Sequence, residues 1–406
     1  MQSTINCCSC TEMDKVKSFQ DLSPSLQNSV KKIIKSEGYM LCNVEIKDLN
    51  TGGGNFLAEL YEICIKGETA EGEKEINLFV KQKIVLENLK FVCIDKAYVR
   101  EEFAYNKLSK VFTLIQDVAN VPLDQRFNMP KSYEETDDST IILENLNKKG
   151  FITYDRMKLI PLKYAELGVK ELARFHGLSF VIEKKMPEYF ERKIKSLEHS
   201  FNYDDDWKVM MKNIVTYIAN LFDGEKKTKI QKALPLFIEK FPKYNNDQTS
   251  IKCTLCHGDF RLNNVLVREE NGHPVEVVLV DYQLMDYGCP IRDLLFFIFS
   301  STDQEFRRLH LNYLKELYFD TLSEFLKYFK IDVEDVYPKK YFDKIYSEWL
   351  DFGLLMTVYC AVFLFAPETG LDLRVLTLSE IPTDFDEEVD NRFRGLIDDF
   401  LEWGYL

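Results

Sequence analysis

Two aspartates and one asparagine mark the segment whose side chains could do chemistry. Asp259 and Asn264 lie in the run HGDFRLNN, and Asp281 begins the run DYQ after an apolar stretch. Phosphoryl transfer to an alcohol needs a carboxylate that orients the hydroxyl and accepts its proton, and hard oxygen ligands that hold magnesium against the nucleotide phosphates. Asp259 suits the first task, and Asn264 and Asp281 suit the second.

The stretch between these residues predicts how they come together. The apolar runs VLV and VEVVLV flank a turn at Asn271 and Gly272, two residue types that tolerate positive φ. The open end of this hairpin would place Asn264 close to Asp281. Any single Asp or Asn is more often a turn or capping residue, so the prediction depends on the whole set.

A lysine upstream extends the pattern. Lys81 lies in the apolar strand INLFVKQ, where a buried ammonium is costly unless phosphates and a carboxylate neutralise it. Glu101, near the start of the next predicted helix, is the natural partner. The residues leave alternatives open, because Glu102 is equally available, Lys83 shares the strand face of Lys81, and Lys81 could extend from an edge strand.

A glycine cluster joins the two predicted strands before Lys81. Glycines let backbone N–H groups approach phosphate oxygens closely, which makes this segment a candidate nucleotide contact. Glycine-rich hairpins are common, so the cluster gains weight only together with Lys81. Its residues are Gly52, Gly53, Gly54 and Asn55.

The elements that must position these residues fall into two parts. Apolar alternation over 44–83 predicts three strands, 97–112 shows helical periodicity, and TIILEN predicts a short buried strand. Beyond it helical periodicity dominates, interrupted by the hairpin. The pattern predicts an α+β fold, with a small antiparallel-sheet lobe and one main helix over 1–145 and a larger, mainly helical lobe over 146–406.

Composition excludes several classes of function. The 406 residues include 52 basic and 66 acidic side chains, and the net charge of -14 repels nucleic acid and anionic lipid. The absence of a secretory pattern and of a membrane-length apolar run favours the cytoplasm. The cysteines are interpreted as reduced thiols, with Cys7, Cys8 and Cys10 in a frayed terminus and Cys253 and Cys256 on a buried strand.

Several blocks together resemble a known family. GGGNF, REEFAY, IILENLNKKGF, ELARFHGLS, HGDFRLNN and VDYQLMDYGCPIRDLLFF are similar to the insect ecdysteroid kinase-like family. That family belongs with choline kinases and aminoglycoside phosphotransferases in the protein-kinase-like superfamily. The resemblance implies a bilobal protein-kinase-like fold that uses ATP and Mg2+.

The resemblance also implies a role for each matching residue. Asp259 would be the catalytic base, Asn264 and Asp281 the magnesium ligands, and Lys81 the phosphate-binding lysine with Glu101 as its partner. Residues 143–146 would be the hinge that meets adenine. The remaining assignments are Glu144 and Leu146 through their main chains at the hinge, and His257 and Asp293 as structural loop anchors.

The implied reaction is phosphorylation of a hydroxyl on an ecdysteroid or another hydroxylated hydrophobic compound, for hormone inactivation or detoxication. Two departures are visible, since relatives usually carry Trp at the position of Arg261 and often Ser at that of Ala58. These departures motivate an alternative, a catalytically silent kinase-fold protein that sequesters a hydrophobic ligand. A protein kinase is disfavoured, because HGDFRLNN and VDYQ replace the H-R-D and D-F-G motifs.

Overall fold

The computed structural model describes residues 16–49, 58–84, 92–199, 201–246, 251–365, 373 and 376–406. A five-stranded antiparallel sheet forms the N-terminal part, and its strands follow one another in sequence order. Two of the long strands, Ala58–Thr69 and Gly72–Lys83, pair through a tight turn, whereas the last strand, Thr140–Glu144, joins the sheet after an intervening helical segment. The strands are β1 (Val16–Lys17), β2 (Tyr39–Asp48), β3 (Ala58–Thr69), β4 (Gly72–Lys83) and β5 (Thr140–Glu144).

The two faces of this sheet enter different cores. Helix α1 (Pro24–Ser36) begins at Ser23, whose hydroxyl accepts a hydrogen bond from Leu26 N at 3.3 Å. The helix packs on one face of the sheet together with Ile142 of β5. The neighbouring residues of β5, Ile141 and Leu143, point the other way into the main core. Side chains alternate between the two faces along a strand, and Lys81 of β4 therefore points toward the second part of the chain.

The predicted helix over 97–112 is longer than expected and is interrupted. Helix α2 (Ile94–Phe103) continues through a π-helical turn (Ala104–Leu108) into α3 (Ser109–Val118). A π-helical turn inserts an extra residue, which shifts the following side chains around the helix axis. Tyr105 lies in this turn, and its hydroxyl accepts a hydrogen bond from the backbone N–H of Asp281 at 3.2 Å.

The second part is mainly helical, and its core is large and aromatic. The buried middle of the helix Leu162–Lys185 packs against the helix Gln304–Tyr328 and against two short strands, Thr254–Cys256 and His273–Leu279. Its helices are α4 (Leu162–Lys185), α5 (Pro187–Tyr189), α6 (Asp205–Asn220), α7 (Gly224–Asn246), α8 (Ile291–Ser301), α9 (Gln304–Tyr328), α10 (Val333–Val336), α11 (Lys339–Glu348), α12 (Leu350–Tyr359), α13 (Ala361–Leu364) and α14 (Glu387–Glu402).

Two small sheets lie within this helical part. The predicted hairpin is observed, with Asn271 at φ 52° and Gly272 at φ 75° in its turn. At its open end Val280 N donates to Asn264 O at 3.0 Å, which fixes the two ends of the hairpin side by side. The strands are β6 (Phe151–Thr153), β8 (Val265–Glu270) and β9 (His273–Leu279) in one sheet, and β7 (Thr254–Cys256) with β10 (Asp286–Gly288) in the other.

The predicted α+β, two-lobed architecture is therefore confirmed, whereas the boundary at 145/146 stays a prediction. None of the helices in the described ranges combines the length and apolar character needed to cross a bilayer. Cys256 ends β7 and Cys253 directly precedes it, and both side chains are buried, as the strand interpretation expected. Cys7, Cys8 and Cys10 lie outside the described residues.

Candidate active site

A cavity of about 430 Å³ lies between the sheet and the β8–β9 hairpin. Strand β4 contributes Lys81 to its wall and α2 contributes Glu101. Asn264 precedes β8 and Asp281 follows β9, so the hairpin brings both side chains to the same wall. The volume falls within the roughly 300–1,000 Å³ range of small-molecule sites.

Lys81 is the centre of a buried ionic cluster at this cavity. Its Nζ donates to Glu101 Oε2 at 2.8 Å and to Asp281 Oδ1 at 2.7 Å. Gln283 Oε1 accepts a further hydrogen bond from Nζ at 3.2 Å. All three ammonium N–H groups thus have an oxygen partner, which is how a buried lysine offsets its lost hydration. We call Lys81, Glu101, Asp281 and Gln283 the lysine cluster.

The structure separates Lys81 from the alternatives that the sequence left open. Glu102 contacts Lys107 at 3.1 Å on the helix surface, away from Lys81. Lys83 reaches Asp95, whose side chain is 83% exposed. Lys81 therefore lines the cavity, whereas Lys83, on the same face of β4, pairs with an exposed carboxylate.

The charge state of the lysine cluster follows from burial and pairing. Burial lowers the pKa of Lys81, but the adjacent Asp281 and Glu101 carboxylates outweigh this effect, so its pKa lies above the ordinary value. Burial raises the pKa of Glu101, and Lys81 opposes that change. Lys81 therefore stays cationic, the state in which an ammonium attracts phosphate oxygens.

Asp281 occupies a strained backbone position. Its φ and ψ are 68° and 64°, in the left-handed region that non-glycine residues seldom adopt. Two contacts hold it there, because its N–H donates to the Tyr105 hydroxyl at 3.2 Å and its carboxylate accepts from Lys81. Such strain costs on the order of 1–3 kcal/mol and is concentrated at functional sites. The Asp281 side chain remains 25% exposed, so its carboxylate reaches the cavity.

A second polar group surrounds Asp259, which is buried at 6% exposure. Asn264 Nδ2 donates to Asp259 Oδ2 at 2.9 Å and to its carbonyl oxygen at 2.8 Å. Arg261 Nε lies 3.2 Å from each carboxylate oxygen. We call Asp259, Arg261 and Asn264 the arginine cluster, and Asn264 is the member that also lines the cavity.

The residues expected to anchor the loop lie behind it. Asp293, at the start of α8, accepts from His257 N at 2.6 Å and from Gly258 N at 3.1 Å. His257 Nε2 lies 3.0 Å from Val280 O, so the ring joins the loop to the far end of the hairpin. His176 of α4 holds Asp293 from the other side at 3.2 Å. These bonds fix the backbone on which Asp259 is mounted.

The two hinge residues border the same cavity. Glu144 ends β5, and its N–H already donates to Lys131 O at 2.9 Å, so that group is used within the protein. Leu146 begins a short 3-10 turn after Asn145. Ala58 opens β3, while Gly52, Gly53, Gly54 and Asn55 lie outside the described residues.

The predicted residues are thus brought together as two groups that touch the same hairpin. Asn264 meets Asp259, Asp281 meets Lys81, and the Val280 to Asn264 backbone bond joins the two. Among the described residues, Asp259 and Asp281 do not contact each other. Asp259 and Asn264 therefore form one group, Asp281 belongs to the adjacent group around Lys81, and the roles of all three stay proposals.

Sequence reasoning missed two residues at this site and noted Arg261 only as a departure from the family pattern. Gln283 bridges Lys81 and Asp281, Tyr105 holds the Asp281 backbone, and the structure adds the pairing of Arg261 with Asp259. The position of Gln283, two residues after Asp281, was a usable signal. Tyr105 gave no signal, because its placement depends on the π-helical turn.

The donor set fits a magnesium ion. Asn264 uses its amide nitrogen on Asp259, which leaves its amide oxygen as a hard ligand, and Asp281 supplies a partly exposed carboxylate. Both side chains lie on the wall of one cavity. These two residues would hold the ion beside bound nucleotide phosphates.

The chain belongs to the ecdysteroid kinase-like family, because the model of that family matches residues 52–331, more than half of the sequence. Together with the geometry, this membership supports a small-molecule phosphotransferase. No curated protein matches the chain.

Solved structures are similar at low identity. A choline kinase from Cryptosporidium parvum is 12% identical, with 89% of this chain and 91% of that chain covered and a TM-score of 0.42. An ethanolamine kinase from Plasmodium vivax is 13% identical, with 85% of each chain covered and a TM-score of 0.38. An aminoglycoside phosphotransferase from Streptomyces rimosus is 12% identical, with 82% of this chain and 98% of that chain covered and a TM-score of 0.33.

Proposed function

We propose that this chain transfers the γ-phosphoryl group of ATP to a hydroxyl of a small molecule. One observation carries the proposal: Lys81, Asp281 and Asn264 line the same cavity, and Asn264 is hydrogen-bonded to the carboxylate of Asp259. A cationic group for phosphates, two oxygen ligands and a base are thus grouped around the open end of the hairpin. That set of groups is what phosphoryl transfer to an alcohol requires.

Each residue has a defined task in this reaction. The acceptor hydroxyl oxygen attacks the γ-phosphorus, its proton passes to Asp259, and the bond to the bridging oxygen of ADP breaks. Lys81 would bind phosphate oxygens, and Glu101 keeps the ammonium in place. Asn264 and Asp281 would hold Mg2+, which when bound neutralises negative charge on the phosphates.

We further propose an ecdysteroid or a hydroxylated foreign compound as the acceptor, because the family description supports it. The cytoplasm is the proposed compartment, as the described cysteines form no disulfide.

The test is a screen of ecdysteroids and hydroxylated foreign compounds with ATP and Mg2+. Mass spectrometry would detect a product that gains one phosphate, and ADP release would be measured in parallel. A thermal-shift series with ATP and Mg2+ checks nucleotide binding, because a ligand of the folded state raises Tm. Absence of both a product and a nucleotide-dependent shift would exclude the kinase.

A second candidate is the catalytically silent binder. The pairing of Arg261 with both oxygens of Asp259 favours it, because the guanidinium occupies the oxygens that would receive the proton. In that case hydrophobic acceptors would raise Tm and stay chemically unchanged, and ATP would not be consumed with any alcohol of the screen. The same experiment therefore separates the two candidates.

A further inference from the structure

Arg261 has fewer partners than its buried position requires. The residue is 8% exposed, and its Nε donates to Asp259. Its Nη1 is buried and has no hydrogen-bond partner within the part of the chain that the structure describes. A guanidinium carries five N–H donors and cannot lose its charge, so an unmatched donor keeps an uncompensated desolvation cost. Spare donors of this kind are expected where an oxygen-bearing ligand completes the site.

The location of Arg261 indicates which ligand would supply that oxygen. The wall of the 430 Å³ cavity takes Asn263 and Asn264 from this loop, and Arg261 is not among its described lining residues. Arg261 instead belongs to the loop that carries Asp259, and its Nε lies 3.2 Å from that carboxylate. Because Asp259 is the proposed base for the acceptor hydroxyl, Arg261 lies on the proposed acceptor side of the site.

We propose that Arg261 is a specificity-determining residue that selects acceptors with a carboxylate beside the hydroxyl to be phosphorylated, an assignment that rests on the proposed phosphotransferase function. A planar guanidinium matches a carboxylate through parallel hydrogen bonds, and these are stronger than bonds between neutral groups. The transfer itself is unchanged: the new P–O bond forms at the hydroxyl, the bond to ADP breaks, and the proton passes to Asp259.

The proximity of Arg261 to Asp259 restricts the acceptor further. Because Nε already lies 3.2 Å from the base, an oxygen bound by the same guanidinium must lie within a few bonds of the reacting hydroxyl. A 2-hydroxy acid satisfies this condition. An alcohol whose only other oxygen is at the far end of the molecule does not.

Matched alcohols test the proposal on the unaltered protein. Mandelate and 1-phenylethanol, and 3-phenyllactate and 1-phenyl-2-propanol, differ only by a carboxylate in place of a methyl group. Methyl mandelate keeps a carbonyl oxygen without the charge. With ATP and Mg2+, we expect kcat/KM to favour each hydroxy acid by on the order of tenfold to hundredfold, the effect of a charged hydrogen bond. Methyl mandelate should fall between.

Two variants test whether this preference depends on Arg261. In Arg261→Met the ratio of kcat/KM between the two alcohols of each pair should approach one. Arg261→Lys keeps the charge without the planar guanidinium and should retain part of the preference. An equal loss with every acceptor, together with slower acceptor-independent ATP hydrolysis, would show that the guanidinium serves the transferred phosphoryl group and would overturn the proposal.

The remaining outcomes are also decisive. Turnover of both members of each pair without preference would leave the phosphotransferase in place and overturn the role of Arg261. Turnover of ecdysteroids but of neither hydroxy acid would do the same. Absence of turnover with every alcohol would remove the function on which the role rests and overturn both.

Discussion

The lysine cluster and the arginine cluster meet at the open end of the β8–β9 hairpin, but their polar groups are satisfied to different degrees. Lys81 Nζ contacts oxygen atoms of Glu101, Asp281 and Gln283 within 3.2 Å. Arg261 shares one carboxylate, and its Nη1 has no partner among the described residues. The proposed nucleotide side of the site is therefore satisfied by the protein itself, while the proposed acceptor side has an unmatched donor.

The clusters also differ in how the fold assembles them. The lysine cluster draws on β4, α2 and the segment after β9, so it exists only when the two lobes pack together. The arginine cluster belongs to one loop, within 259–264, and its contacts are local in sequence. Changes in the lysine cluster should consequently affect stability, and changes in the arginine cluster should affect chemistry.

The largest expected effect is on turnover. Asp259→Asn removes the proposed base but keeps its shape, so kcat should fall by about 10³-fold or more while the Kd for ATP changes little. Steady-state kinetics and calorimetric titration of ATP measure the two quantities. Asp205→Asn is a control, because the Asp205 side chain is 96% exposed on α6. Wild-type turnover in Asp259→Asn would refute the assigned role.

The next effect concerns the lysine cluster. Lys81→Met leaves Glu101 and Asp281 close together without their cation, and breaking a buried ion pair in this way costs about 3–5 kcal/mol of unfolding free energy. Urea denaturation measures the loss, and ATP binding should weaken at the same time. Lys81 would have no structural importance if the midpoint stayed at the wild-type value.

Lys83→Met is the matched control for this prediction. It removes the same side chain from the same face of β4, but its partner Asp95 is exposed. A pair at the surface is worth about 0–1 kcal/mol, so stability and ATP binding should remain close to wild type. Similar losses in both lysine variants would mean that the register of β4 has been assigned incorrectly.

Local patterns made much of this fold predictable. The Asn271-Gly272 turn and its flanking apolar runs predicted the hairpin, and the short apolar run in TIILEN predicted β5. The hairpin in turn predicted that Asn264 and Asp281 share a wall. These features depend on residues close in sequence, where turn chemistry and side-chain period act directly.

Features that depend on tertiary packing were not predictable. The choice between Glu101 and Glu102 depends on the rotation of α2, and the contact from Tyr105 to Asp281 depends on the π-helical turn. The position of Arg261 over Asp259 follows from a side-chain conformation within the loop. No periodicity in the sequence encodes these three outcomes.

A buried carboxylate outside the site tests how burial and a neighbouring arginine act on the same group. Glu171 of α4 accepts from Arg174 at 3.0 Å, and burial, opposed by Arg174, raises the pKa of Glu171 to about 7. A raised pKa in the folded state means stability that is present below about pH 4.5 and lost as pH rises through 7. Glu171→Gln should remove this dependence, which amounts to at most roughly 3 kcal/mol.

Urea denaturation at pH 5 and pH 8 checks this prediction. Wild type should lose stability relative to Glu171→Gln between the two values, and the variant should not lose turnover. The opposite sign, with the wild type gaining on the variant as pH rises, would show that Arg174 rather than burial controls Glu171. In that event an arginine partner alone would suffice to keep this buried carboxylate charged.

The last prediction compares the two clusters by the unfolding free energy that each loses when its cation is removed. Arg261→Met removes the cation from Asp259, but Asn264 Nδ2 still donates to that carboxylate at 2.9 Å, and the unmatched Nη1 disappears with the guanidinium. The lost ion pair and the relieved donor act in opposite directions, so unfolding free energy should fall by only about 1–2 kcal/mol. Urea denaturation beside Lys81→Met gives the contrast. A loss as large as that of Lys81→Met would show that Arg261 is as structural as Lys81, and the acceptor side would then be no less complete than the nucleotide side.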